Sequence, residues 1–177
     1  MKNKCIKWVP IVYFILVTGG CKFHSITDFV SPDLRERAIP ADISKELESK
    51  YKFGNIVIIP SIRHGKETDD YYHIRIDVFS PQSLLYLKIV NAQVAVDGKN
   101  TGIKQLFDNN LQCQSNWDEP LGYYYCHVQS NKFQIERPSK VKSVSLKLQN
   151  KLSTSEREDI STEATYTFTP KVRKYFE

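Results

Sequence analysis

The sequence is poor in the features that announce catalysis. Only seven glycines occur in 177 residues. None gathers into a Gly-rich phosphate loop or a Gly-x-Ser-x-Gly elbow, so neither nucleotide cradling nor hydrolase-type serine activation is written into the chain. The four histidines, His24, His64, His73 and His127, stand in no metal-ligand motif, and no pair has the helical spacing of a zinc protease. His73 and Asp77 share one face of an alternating segment, and Asp69-Asp70 lies near His64 in a polar stretch; both read as solvated surface. Cys126 and His127 are adjacent, which in a strand sends their side chains to opposite faces, so thiol and imidazole do not meet. The expectation is a non-enzymatic protein with no metal and no cofactor. A spanning helix is lacking too. The apolar run at residues 8–17 reaches only about 15 Å as a helix, against about 30 Å of bilayer hydrocarbon.

What is present at the start is ordered. Lys2, Lys4 and Lys7 precede the apolar run and Gly19-Gly20 follow it, the layout of a secretory signal peptide over residues 1–20. Gly19-Gly20-Cys21 resembles the lipobox of bacterial lipoproteins, with Thr18 where that family usually carries Leu. The resemblance implies cleavage before Cys21, lipid on the Cys21 thiol, and a membrane-anchored protein of the cell envelope facing the periplasm. Lys22 stands where inner-membrane retention signals of such lipoproteins carry Asp, which implies the outer membrane.

With Cys5 in the leader and Cys21 lipidated, the four cysteines reduce to Cys113 and Cys126, a natural disulfide pair in an exported domain. The leader also accounts for most of the positive balance. The whole chain has 25 Lys and Arg against 20 Asp and Glu, and loss of three leader lysines leaves 22 against 20. Such a near-neutral chain offers no nucleic-acid surface. The basic tail at 171–174, Lys-Val-Arg-Lys, reads as a solvated end.

The remaining residues suffice for one domain with a real core. Residues 21–40, with two prolines and scattered apolar positions, read as a tether, although Phe23, Ile26, Phe29 and Val30 are able to pack. Ile43, Leu47 and Tyr51 recur every four residues, so 41–52 reads as a short amphipathic helix with Asp42 as its cap. Beyond Gly54 the period becomes two. The segment 71–79 sends Tyr72, Ile74, Ile76 and Val78 one way and His73, Arg75 and Asp77 the other. Further strands are expected at 55–59, closed by Pro60, and at 84–96, either central or broken near Asn91. Others are expected at 102–107, 123–129, 132–136, 143–148 and 164–169, with a polar loop or helical turn at 153–162. About eight strands with little helix point to an all-β antiparallel sandwich over 41–177, immunoglobulin-like or transthyretin-like, with a small β-barrel as the alternative.

The segment 113–126 concentrates the remaining signal. A Cys113–Cys126 bond closes a loop holding Trp117, Tyr123, Tyr124 and Tyr125. Gly122, Tyr124 and Cys126 resemble the tyrosine corner of immunoglobulin domains, where Tyr stands two residues before a core cysteine. Aromatics on a stiffened loop form a candidate protein-binding surface; the alternative is that the tyrosines pack in the core. In length, anchor and strand pattern the chain looks like the small outer-membrane lipoproteins of type VI secretion systems, which implies an assembly accessory with a protein partner. An inhibitor or immunity lipoprotein acting on a periplasmic toxin or hydrolase is the second reading.

Overall fold

The computed structural model describes residues 23–65, 71–103, 105–108, 113–156 and 160–176. The leader, Cys21, Lys22 and Asp69-Asp70 lie outside the described residues. β1 (Phe23–Val30) leads to a 3-10 turn (Pro40–Asp42) and one α-helical turn, α1 (Glu48–Tyr51). Then come β2 (Lys52–Phe53), β3 (Ile56–His64), β4 (Tyr71–Ser80), β5 (Leu84–Val96), β6 (Lys99–Asn100), β7 (Asn116–Asp118), β8 (Tyr123–Gln129) and β9 (Phe133–Gln134). A second 3-10 turn (Pro138–Lys140), β10 (Val144–Thr154) and β11 (Ile160–Phe176) complete the chain.

The strands pair antiparallel along the path β6-β5-β10-β11-β1-β3-β4-β8-β7, with β2 on β3 and β9 on β4. Among the described residues the path has two ends and no pairing joins them, so the sheet is open and the small-barrel alternative is corrected. β11 holds the two halves together. Its first part, from Ile160 to Phe168, pairs with β10, and its second, from Thr169 to Phe176, pairs with β1.

The period-two pattern explains the core. In β4, Tyr72, Ile74, Ile76 and Val78 are fully buried while His73, Arg75 and Asp77 are half-buried on the other face. In β10, Val144, Leu146, Leu148 and Leu152 are fully buried, and Lys147 and Lys151 are exposed. These side chains, with Ile58 of β3 and Tyr166 and Phe168 of β11, belong to one hydrophobic cluster. Fully burying each such apolar side chain contributes about 1.5–3 kcal/mol.

Several expectations need correction. β3 runs straight through Pro60, which opposes Ile76. Ile74 directs both its N–H and C=O to Ser130 on the β8 side, so its partner Ile62, and Pro60 two residues earlier, turn their backbone groups toward β1. β1 meets β3 only at Phe29↔Ile62. The donor that proline lacks is therefore missing from a gap, not from the β3–β4 ladder. The expected tether is in part a strand: Ile26 and Phe29 of β1 are buried. The basic tail at 171–174 is solvated at Lys171, Val172 and Lys174 as expected, but it forms part of β11.

The helix over 41–52 shrinks to α1, because Ile43 is extended at φ −85°, ψ 108° and Leu47 supplies no capping side chain. The Asp42 carboxylate instead accepts from the Ile39 N–H at 2.7 Å and pairs with Arg35 at 2.8 Å. No strand forms at 102–107 among its described residues: Gly102 and Gln105 have φ of 66° and 58°, and Leu106 and Phe107 are buried without a ladder. β5 is one strand whose pairing with β10 shifts register twice, once near Asn91. Asn91 opposes Gln149 and Ile89 opposes Asn150, leaving Val90 as the extra residue.

Candidate functional site

The β7–β8 hairpin at one end of the strand path carries the candidate aromatics. Its turn is organised by Asp118, whose backbone C=O accepts from the Gly122 N–H at 2.9 Å and whose carboxylate accepts from the Leu121 N–H at 3.2 Å. Gly122 takes φ +68°, a left-handed value suited to glycine. A disulfide joins Cys113 to Cys126, both buried, with Cα atoms 5.8 Å apart. It fixes the start of this segment to β8, itself hydrogen-bonded to β4 from Arg75↔Gln129 to Ser80↔Tyr124.

Alternation along β8 separates the tyrosines. Tyr123 and Tyr125 point to the same face as His127, and both are half-buried against the core's margin. Tyr125 packs on Phe79, ring centroids 5.1 Å apart, and stacks with His127 at 6.0 Å. Its hydroxyl donates to Asp77 at 2.6 Å and accepts from Arg75, while Arg75 Nε bonds Asp77 at 2.9 Å. Burial, reinforced by the Asp77 carboxylate, pushes the Tyr125 hydroxyl pKa up. Burial opposes the charge on Arg75, yet its bonds to Asp77 and Tyr125 hold its pKa above the usual value. This triad is a structural lock on the outer face of β4 and β8.

Tyr124 points the other way, with Cys126 and Val128, but lies near the hairpin turn. Trp117 opposes it in register, ring centroids 5.1 Å apart and edge-on at 65°. Trp117 is 53% exposed, the largest of four exposed bulky hydrophobic side chains among the described residues. The packing reading therefore holds for Tyr123 and Tyr125, and exposure holds for Trp117 on its Tyr124 support. The contact Tyr124 makes here is the ring of Trp117.

A second feature was not legible in the sequence. A cleft of about 270 Å³ lies between β1, β3 and residues 31–38. Arg173 spans it, bonding Asp28 at 2.6 Å and also Glu36. These charged groups engage one another and tie the two segments together. The spacing of Lys171, Arg173 and Asp28 was the available clue, had 171–174 been read as a strand.

His73 is half-buried and its Nδ1 has no hydrogen-bond partner. Burial, together with Arg63, Lys132, Arg75 and His64, lowers its pKa. Cys126 is buried and His127 exposed on successive positions, as the strand spacing requires. Among the described residues no three His, Cys, Asp or Glu side chains gather to hold a metal, and no helix is long and apolar enough to cross a membrane. No protein-family model, curated protein or solved structure matches the chain.

Proposed function

We propose that this protein is a non-enzymatic, lipid-anchored domain of the bacterial cell envelope, attached through Cys21 and presenting the β7–β8 hairpin to a protein partner. The outer membrane, periplasmic side, is the favoured address, on the strength of the lipobox-like Gly19-Gly20-Cys21 and of Lys22. The single observation that carries the binding role is Trp117, half-exposed yet braced by Tyr124 on a hairpin tied down by a disulfide. A tryptophan held in this way loses little conformational entropy on contact, the property that makes this residue type a hot spot.

The architecture is read as a sandwich in which β5, β10 and β11 face β3, β4 and β8. Support comes from the shared core cluster that joins Ile58, Ile74 and Ile76 to Leu146, Leu148 and Leu152. An immunoglobulin-like or transthyretin-like arrangement is the finer form of that reading.

Co-purification from detergent-solubilised envelopes, with Trp117→Ala beside the wild type, tests the role. A partner retained by the wild type and reduced at least tenfold by the variant, with Tm lowered by no more than about 6 °C, supports it. Equal retention by the variant, or a larger fall in Tm, contradicts it. Recovery of one toxin or hydrolase, inhibited in the complex, assigns the hairpin to the inhibitor reading.

A further inference from the structure

We infer that the β7–β8 hairpin receives a basic segment of its partner, with a lysine or arginine side chain laid against the open face of the Trp117 ring. The inference rests on the proposed partner-binding role of this hairpin and names the chemistry of that partner. Tyr124 meets Trp117 edge-on, with 65° between the ring planes. One ring in that position does not cover both indole faces, and with Trp117 53% exposed a face is left for a ligand. Tryptophan offers a cation the best π face of any side chain, and an arginine guanidinium also stacks flat on it. An aliphatic group and a cation would both fit such a ring. The surrounding charge decides between them.

From Gln105 to Asn131 the chain has no lysine or arginine, and its carboxylates are Asp108, Asp118 and Glu119. Asp108 accepts from Asn131, past the far end of β8. Asp118 and Glu119 follow Trp117 directly. The Asp118 carboxylate accepts a neutral N–H, from Leu121 at 3.2 Å, which leaves its charge in place, and Glu119 is exposed. No cationic side chain pairs with either among the described residues. Across the strands, Trp117 opposes Tyr124 and Tyr124 opposes Ser80 of β4, forming one row. The Ser80 hydroxyl accepts from the Gln82 N–H at 3.1 Å, and the Gln82 amide donates to Glu156. A third carboxylate thus sits beyond the row, again held by a neutral donor. Residues 157–159, Arg-Glu-Asp in sequence, add one more net negative charge. The bases on the other side are matched: Lys52, which shares a cleft with Tyr123, bonds Glu48 at 3.0 Å, Lys50 bonds Asp33 at 2.5 Å, and Lys45 is followed by Glu46.

A chain whose formal net charge is +5 is therefore acidic around Trp117. A field of one sign speeds the approach of partners of the other sign, and the effect fades as salt screens it. A cation on the open indole face, with Glu119 two residues along, meets π face and carboxylate together. Purely apolar contact at Trp117 would show neither salt dependence nor a preference for one sign of charge.

The test uses the full chain in detergent and a labelled peptide of alternating arginine and glycine, with a glutamate–glycine peptide as its opposite; fluorescence anisotropy reads both. Expected are saturable binding of the arginine peptide and at least tenfold weaker binding of the glutamate peptide. Trp117→Leu and Glu119→Lys should each cost at least threefold in affinity for the arginine peptide, and so should a rise in salt from about 50 to about 300 mM. Glu119 is exposed, so its variant tests the charge with the fold intact. No binding of the arginine peptide, equal affinity for the two peptides, or wild-type affinity in both variants overturns the basic-partner assignment. The same variants, taken into envelope co-purification, separate this failure from failure of the binding role. A partner lost with Trp117→Leu but kept by Glu119→Lys and at high salt overturns the basic assignment alone. A partner kept by both variants overturns the role on which it rests.

Discussion

Replacing both Cys113 and Cys126 by Ala removes a cross-link whose partners are 13 residues apart. The closed loop of about 14 residues gives, by loop-closure entropy, a loss of about 3 kcal/mol at 25 °C. That cost falls on the unfolded chain, which gains the freedom the bond denied it. The variant should keep its far-UV circular dichroism, lose about 6–12 °C in Tm for a domain of this size, and unfold with a slightly larger denaturant slope. Urea titration of the wild type with and without reductant, beside the double variant, measures all three. The reduced wild type should approach the double variant. Two thiols titrating in the denatured, unreduced protein, or a midpoint change equivalent to less than about 1 kcal/mol, would refute the reasoning.

Other outcomes follow from the same geometry. Trp117→Ala should lower Tm by only about 1–6 °C, the share of the half-exposed ring's contact with Tyr124, while weakening partner binding by about 2 kcal/mol or more, read by titration with the isolated partner. A large stability loss would return Trp117 to the packing reading. Tyr125→Phe removes the hydroxyl that bridges Asp77 and Arg75 and should cost about 1–2 kcal/mol in urea unfolding; no change would mean the triad is solvated. The lowered pKa of His73 means that, as pH falls below the ordinary histidine value of about 6.5, the unfolded chain takes up the proton first and stability falls, levelling off below the folded pKa. His73→Gln should therefore show a smaller Tm loss between pH 7.5 and 5 than the wild type, and an equal loss would contradict the assignment.

Much of the fold was legible wherever one face of a strand is buried. Tyr72, Ile74, Ile76 and Val78 alternate with His73, Arg75 and Asp77 because β4 separates core from surface, and that separation is itself the sequence signal. The pairing of Cys113 with Cys126 was equally direct. What escaped was decided by neighbours. Pro60 looked like a terminator because its tolerance depends on which side of β3 it leaves without a donor. The strand at 102–107 had suitable residues, yet Leu106 and Phe107 reach the core from an irregular loop. β1 and the end of β11 are short of apolar alternation because they form a pair with exposed positions such as Ser25, Val172 and Lys174. In the candidate site, the aromatic cluster was visible but its division was not. Only the register of Trp117 against Tyr124, and the triad around Tyr125, distinguishes the exposed ring from the locked one.

The central claim is that a lipid on Cys21 holds this β-domain at a membrane. Intact mass and amino-terminal peptide mapping of the protein extracted from envelopes test it most directly. The account predicts a chain beginning at Cys21, with acyl chains on that residue, and Cys21→Ser protein released from the membrane pellet. A chain that begins elsewhere with an unmodified Cys21, or Cys21→Ser protein that stays with the membrane after leader removal, would contradict it.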